Sequence, residues 1–206
     1  MQRLCVFCGS SPGNDSTFVK TAERVGRLIA QRGLELVYGG GGRGLMGAVA
    51  DGALGANGKV IGIIPRGLFK REGLHDGLTR LEAVDTMHER KAMMAELSNG
   101  FLALPGGIGT MEELFEIWTW TQIGVHGKPC GILNVDGYYD GLLTFLDQMV
   151  NRGFLAQSHR DVVLVDDDPA SLIERVVAHQ PQIHERWMTP TQTWNERLPP
   201  GQASEN

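Results

Sequence analysis

Cysteine is scarce in this 206-residue sequence, and its three thiols are badly placed for metal or redox work. Cys5 and Cys8 spell a C-x-x-C, but they sit in the apolar run Leu4-Cys5-Val6-Phe7-Cys8. Side chains three apart on a strand point to opposite faces, so this pair reads as packing thiols. Cys130 stands alone, and the six histidines show no ligand spacing, so no metal is expected. Lysine is also sparse, with five in all and none in a recognisable Schiff-base setting, which sets aside a pyridoxal-phosphate enzyme. No apolar stretch approaches the roughly 20 residues that a membrane-spanning helix needs. Positive charge is in deficit: 19 Lys and Arg against 24 Asp and Glu leave a net charge of -5 and no basic stripe for nucleic acid. Met1-Gln2-Arg3 leads into a short apolar segment without a cleavage site, which reads as a first strand and not a signal peptide. The expectation is a cytoplasmic protein with no nucleic-acid or membrane partner.

Glycine is what the chain has in quantity, 28 residues concentrated where apolar runs give way to amphipathic ones. Strands are predicted at 4–7, 34–38, 60–64, 81–84, 101–104, 130–135 and 162–165. Between them lie helical stripes. Phe18, Ala22, Val25 and Ile29 form one, which Gly33 ends. Others cover 45–57, 86–97, 111–122 and 139–151, and Asp168-Pro169 opens the last. The helix at 111–122 is expected to bury Met111, Leu114, Phe115 and Trp118 on one face. Residues 66–79 read as a charged loop long enough to act as a lid. This alternation predicts an α/β chain, a single doubly wound Rossmann-like domain over residues 1–179 with a mostly parallel sheet and helices on both faces. Residues 180–206 turn to Pro, Gln, Thr and Trp and read as a partly disordered C-terminal tail, with Trp187 and Trp194 available to dock it. Ligands in such folds bind beyond the carboxyl ends of the strands, where the Gly-rich segments gather.

Two of those segments invite a phosphate. Gly39, Gly41 and Gly44 match G-x-G-x-x-G, but they follow the second strand and not the first. The next strand ends Ile63-Ile64-Pro65-Arg66, with no carboxylate for a ribose hydroxyl, so NAD and NADP are disfavoured. Pro105-Gly106-Gly107-Ile108-Gly109-Thr110-Met111-Glu112-Glu113 is more specific: a strand stops, glycines expose amides, and a helix begins at about Thr110. Unpaired amides and the positive dipole end make that start an anion site sized for one phosphate, with the Thr110 hydroxyl as a further donor. The G-K-[ST] of a triphosphate loop is absent. Thr110-x-x-Glu113 also spells a capping box, as does Thr86-x-x-Glu89. Spacing alone fits capping better than catalysis at Glu113. It leaves Arg90-Lys91 open between a site and a solvated helix face.

Met87-His88-Glu89-Arg90-Lys91, together with the run from Pro105 to Glu113, resembles the paired signature of the Lonely Guy family, often mislabelled lysine decarboxylase. Further landmarks are Cys8-Gly9-Ser10-Ser11, Gly40-Gly41-Gly42-Arg43-Gly44-Leu45-Met46-Gly47 and Leu133-Asn134-Val135-Asp136-Gly137-Tyr138-Tyr139, so the likeness covers about residues 1–178. The resemblance implies a phosphoribohydrolase that cuts the N-glycosidic bond of cytokinin riboside 5'-monophosphates or AMP, with no cofactor, acting as a homodimer. It nominates Arg90 and Glu113 as catalytic. It places substrate contacts at Lys91, Gly107, Ile108, Gly109, Thr110, Met111, Glu112 and Thr119. Plant members carry a glutamate shortly after the proline that ends the third strand, and Glu72 is the nearest carboxylate here. The competing reading is a non-catalytic nucleotide- or cofactor-binding module of the same fold, which would need the glycines but neither Arg90 nor Glu113.

Overall fold

The computed structural model describes residues 1–68 and 73–179. Glu72 and the predicted tail at 180–206 lie outside the described residues. The strands are β1 (Arg3–Phe7), β2 (Glu35–Tyr38), β3 (Val60–Pro65), β4 (Arg80–Val84), β5 (Gly100–Ala103), β6 (Cys130–Leu133) and β7 (Val163–Asp166). The helices are α1 (Ser16–Gln31), α2 (Gly44–Gly55), α3 (Met87–Leu97), α4 (Ile108–Gln122), α5 (Asp140–Asn151), α6 (Gln157–Arg160) and α7 (Pro169–Ala178). The seven strands form one sheet in the order β4-β3-β2-β1-β5-β6-β7, and every pair is parallel. The expected doubly wound architecture is present, and no helix among the described residues is long and apolar enough to cross a membrane.

Strands covered on both faces need apolar side chains on both, which is why β1, β3 and β5 read as near-continuous hydrophobic runs. Alternation divides them between two cores. Leu4, Val6, Leu36 and Tyr38 pack with α1, α2 and α7 on one face. Cys5, Phe7, Val37 and Phe101 pack with α3, α4 and α5 on the other. Cys5 and Cys8 fall in different cores, as their spacing requires, and all three cysteines are free and buried.

The first face is closed by backbone approach. A Cβ built on Gly26 of α1 would stand 2.0 Å from the Val49 carbonyl oxygen, and one on Gly52 of α2 would stand 2.0 Å from that of Glu23. The Ala- and Gly-rich composition of α2 therefore lets two helices touch main chain to main chain.

Several boundaries differ from expectation. Helix α4 begins at Ile108, before Thr110, because Gly107 takes the N-cap conformation. Its buried face is Thr110, Leu114, Ile117, Trp118 and Thr121, whereas Phe115 is exposed and Met111 only half-buried. The sixth strand, expected to reach residue 135, ends at Leu133, and Val135–Gly137 is a 3-10 turn in which Asp136 and Gly137 have φ of 51° and 71°. The short helix α6 has too few residues to show a period and was not expected. Within the predicted lid, Arg66–Leu68 is a 3-10 turn and Leu74 bridges Gly41.

The α1–α2 contact sets a stability prediction. Gly52→Ala forces a methyl into main chain and should cost about 1–3 kcal/mol or more in denaturant unfolding. Gly55→Ala, whose Cβ meets nothing within 4 Å, should be neutral or slightly stabilising. Equal stability of the two variants would refute the close packing.

Candidate active site

Strand β1 feeds a helix on one face of the sheet and its neighbour β5 feeds α4 on the other, so the loops after them diverge and leave a crevice. The loops join at their base, where the Gly9 N–H donates to the Pro105 carbonyl at 3.1 Å. The Gly9 carbonyl in turn accepts from the Leu45 and Met46 amides at 3.0 and 3.3 Å, which ties down the start of α2.

The start of α4 is treated differently. Its N-cap, Gly107, makes no side-chain cap hydrogen bond, and its first turn carries no acidic residue. The amides and dipole of a 15-residue helix therefore point without a capping side chain at a cleft of about 350 Å³. Gly107, Ile108, Gly109 and Thr110 line that cleft, with Arg90, Glu112 and Glu113 around it.

Arg90 is positioned from its own helix upward. At the start of α3 the Thr86 hydroxyl accepts from the Glu89 amide at 3.1 Å, while the Glu89 carboxylate accepts from the Thr86 and Asp85 amides at 3.1 and 2.8 Å. That capping box fixes the first turn and drops Arg90 onto the end of the sheet. Its side chain is only 5% exposed; Nε donates to the Ile63 carbonyl at 3.2 Å and Nη2 to the Gly39 carbonyl at 3.1 Å. A Cβ on Gly39 would lie 2.0 Å from that same Nη2. The first glycine of the G-x-G-x-x-G run thus makes room for a guanidinium, not a pyrophosphate.

Glu113 is not a cap. With Gly107 as N-cap, Thr110 is the third helical residue and Glu113 the sixth, so Thr110-x-x-Glu113 cannot form the reciprocal pair. The carboxylate instead lines the cleft beyond the end of β1. Burial first, and the Glu113 charge next, push the Cys5 and Cys8 thiols well above their ordinary range. A buried cation and a carboxylate therefore share a crevice with the open end of a helix.

Other nominated residues lie elsewhere. The Lys91 ammonium, 9% exposed by residue, bonds Glu112 and, at 3.1 Å, Glu116, tying α3 to α4. Burial would lower its pKa, but the two carboxylates outweigh that and raise it. Neither Lys91 nor Met111 lines the cleft, and Met111 packs against the core. Thr119 is exposed, does not line the cleft, and donates its hydroxyl to the Phe115 carbonyl of its own helix at 2.7 Å. Sequence reasoning passed over Ser10 and Met46 in the cleft wall. It also missed an adjoining pocket of about 310 Å³ walled by Phe18, Leu45 and Tyr138, which shares Gly9, Ser10 and Gly107 with the cleft. The position of residues 9–14, just after the first strand of a doubly wound sheet, was the available signal.

A family model described as possible lysine decarboxylase matches residues 46–176. A probable cytokinin riboside 5'-monophosphate phosphoribohydrolase from Oryza sativa subsp. japonica is 45% identical over 89% of this chain and 75% of its own. A cytokinin riboside 5'-monophosphate phosphoribohydrolase from Arabidopsis thaliana is also 45% identical, over 91% and 87%. Among solved structures, a molybdenum cofactor binding protein from Rippkaea orientalis superposes with a TM-score of 0.66 at 24% identity, over 86% of this chain and 96% of that one; at that identity the likeness shows the fold alone. By that family match and those relatives, the chain belongs to the Lonely Guy (LOG) family of cytokinin riboside 5'-monophosphate phosphoribohydrolases.

Proposed function

We propose that this protein hydrolyses the N-glycosidic bond of purine nucleoside 5'-monophosphates (cytokinin riboside monophosphates, AMP or both) and releases free base and ribose 5-phosphate. The observation that carries the reading is the uncapped start of α4 opening on a cleft that also holds Arg90 and Glu113. The 5'-phosphate takes the anion position that the Gly107–Thr110 amides define. Binding energy from that remote group holds the anomeric carbon in place.

As the ribosyl C–N bond breaks, its electron pair leaves with the base and positive charge builds on the sugar. Glycosidases meet the same oxocarbenium problem with carboxylates. Glu113 stabilises the ribosyl cation and orients the water whose oxygen bonds to C1'; the water's proton offsets the charge left on the base. Arg90, fixed by the Ile63 and Gly39 carbonyls, neutralises negative charge developing on the leaving group. Glu112, bonded to Lys91, holds one edge of the cleft. Lys91 acts by keeping α3, which carries Arg90, in register with α4, which carries Glu113.

A homodimer completes the proposal. Helix α4 leaves Ile108 87% and Phe115 36% exposed, with Ile123 and Val125 just beyond it at 41% and 56%, an apolar surface suited to a second copy. Thr119 lies on this exposed side and would reach substrate from such an interface. Light scattering should return twice the 22.5 kDa chain mass; a monomer at assay concentration would remove this part of the proposal.

Glu113→Gln tests the mechanism. The variant keeps the shape of the side chain, loses its charge and has no cap to break. We expect kcat for base release to fall by roughly two to four powers of ten with the melting temperature almost unchanged. A near-normal kcat would defeat the role assigned to this carboxylate.

A further inference from the structure

We infer that Tyr138 is a positioning residue for the substrate phosphate, setting the direction of the Gly106–Gly107 peptide at the start of α4. The inference rests on the proposal that the Gly107–Thr110 segment holds the 5'-phosphate. The Tyr138 hydroxyl donates to the Gly106 carbonyl at 2.6 Å. In a trans peptide the carbonyl of one residue and the N–H of the next point in opposite directions, and the described residues contain no cis bond. Holding the Gly106 carbonyl on the side of the aromatic pocket therefore turns the Gly107 N–H the other way, toward the cleft with Arg90 and Glu113. A peptide between two glycines is the kind that flips most easily, since neither neighbour has a Cβ to restrict it. Without a partner for that carbonyl, the cradle would be a mixture of two orientations.

Tyr138 is itself well held, although its side chain remains 47% exposed. Its ring meets Phe18 edge-on at 5.8 Å and Tyr139 at 4.9 Å. The turn before it is fixed where the Asn134 side-chain oxygen accepts from the Tyr139 amide at 2.7 Å. Tyr139 then donates its own hydroxyl to the Leu104 carbonyl at 2.6 Å, two residues before Gly106. Two adjacent tyrosines from beyond β6 thus grip the segment that joins β5 to α4.

The competing reading is that Tyr138 serves only as an aromatic wall of the 310 Å³ pocket. Tyr138→Phe separates the two, because it keeps the ring and removes the hydroxyl. Wild type, Y138F and Y138L would be assayed with a purine nucleoside monophosphate and with the matching nucleoside, using ribose 5-phosphate as a competitive inhibitor. For Y138F we expect KM for the monophosphate and Ki for ribose 5-phosphate to rise about ten-fold, the scale of one lost hydrogen bond. Its turnover of the nucleoside and its melting temperature should stay close to wild type. A normal Y138F alongside an impaired Y138L would overturn the assignment in favour of the wall. Equal loss toward nucleotide and nucleoside would overturn it as a general structural effect. A wild-type enzyme that treats the two substrates alike would defeat the phosphate reading and this assignment with it. A discriminating wild type with an unaltered Y138F would defeat the assignment alone.

Discussion

Burying a guanidinium at the carboxyl edge of the sheet is the constraint around which this site is built. A charge taken out of water must find acceptors nearby or it destabilises the fold. Arg90 finds them in the carbonyls of Ile63, within β3, and Gly39, just past β2. That solution has consequences along the chain. Residue 39 must lack a side chain, α3 must start at a fixed point, and the start is fixed by the reciprocal Thr86–Glu89 cap. The next residue, Lys91, leaves the helix on a different heading and clamps α4 through Glu112 and Glu116. Adjacent basic residues thus do separate work, one holding a cation at the cleft and one holding two helices together.

The helix starts tell a complementary story. Helices α1, α3 and α7 begin on Asp15, Thr86 and Asp168, each with its side chain accepting from the first turn. Helix α2 has no such side chain, and the Gly9 carbonyl satisfies its first amides instead. Helices α5 and α6 also lack a capping side chain, but α4 begins on a glycine with no carboxylate in its first turn, and its start opens on the cleft with Arg90 and Glu113. A substrate phosphate in that place would supply what the sequence withholds.

Much of this was legible beforehand, and the limits have physical causes. Apolar runs bounded by glycine and proline gave all seven strands to within a residue or two, because a strand covered on both faces cannot disguise its composition. The start of α4 was misplaced because Thr110-x-x-Glu113 satisfies the capping pattern as written. The cap is set instead by where the backbone leaves the extended region, and Gly107 does that two residues after Pro105 without any side-chain signal. The reason for Gly39 was hidden for another cause: its space is filled by a side chain 51 residues further on. Tyr138 reaches back 32 residues to Gly106, and no local pattern announces a contact of that kind. Spacing leaves Arg90 open and favours a capping role for Glu113, and both come forward as catalytic only through the family likeness. The fold then placed both on one cleft and removed the capping alternative.

The central claim is that the anion position at the start of α4 governs catalysis at the neighbouring Arg90 and Glu113. The most direct measurement compares kcat/KM for a purine nucleoside 5'-monophosphate with that for the same nucleoside, the products being identified by chromatography. The account predicts free base and ribose 5-phosphate in equal amounts from the nucleotide, and a loss of at least roughly two powers of ten when the phosphate is absent, since buried donors are then left unpaired. Equal turnover of the two substrates, or release of inorganic phosphate and intact nucleoside, would contradict it.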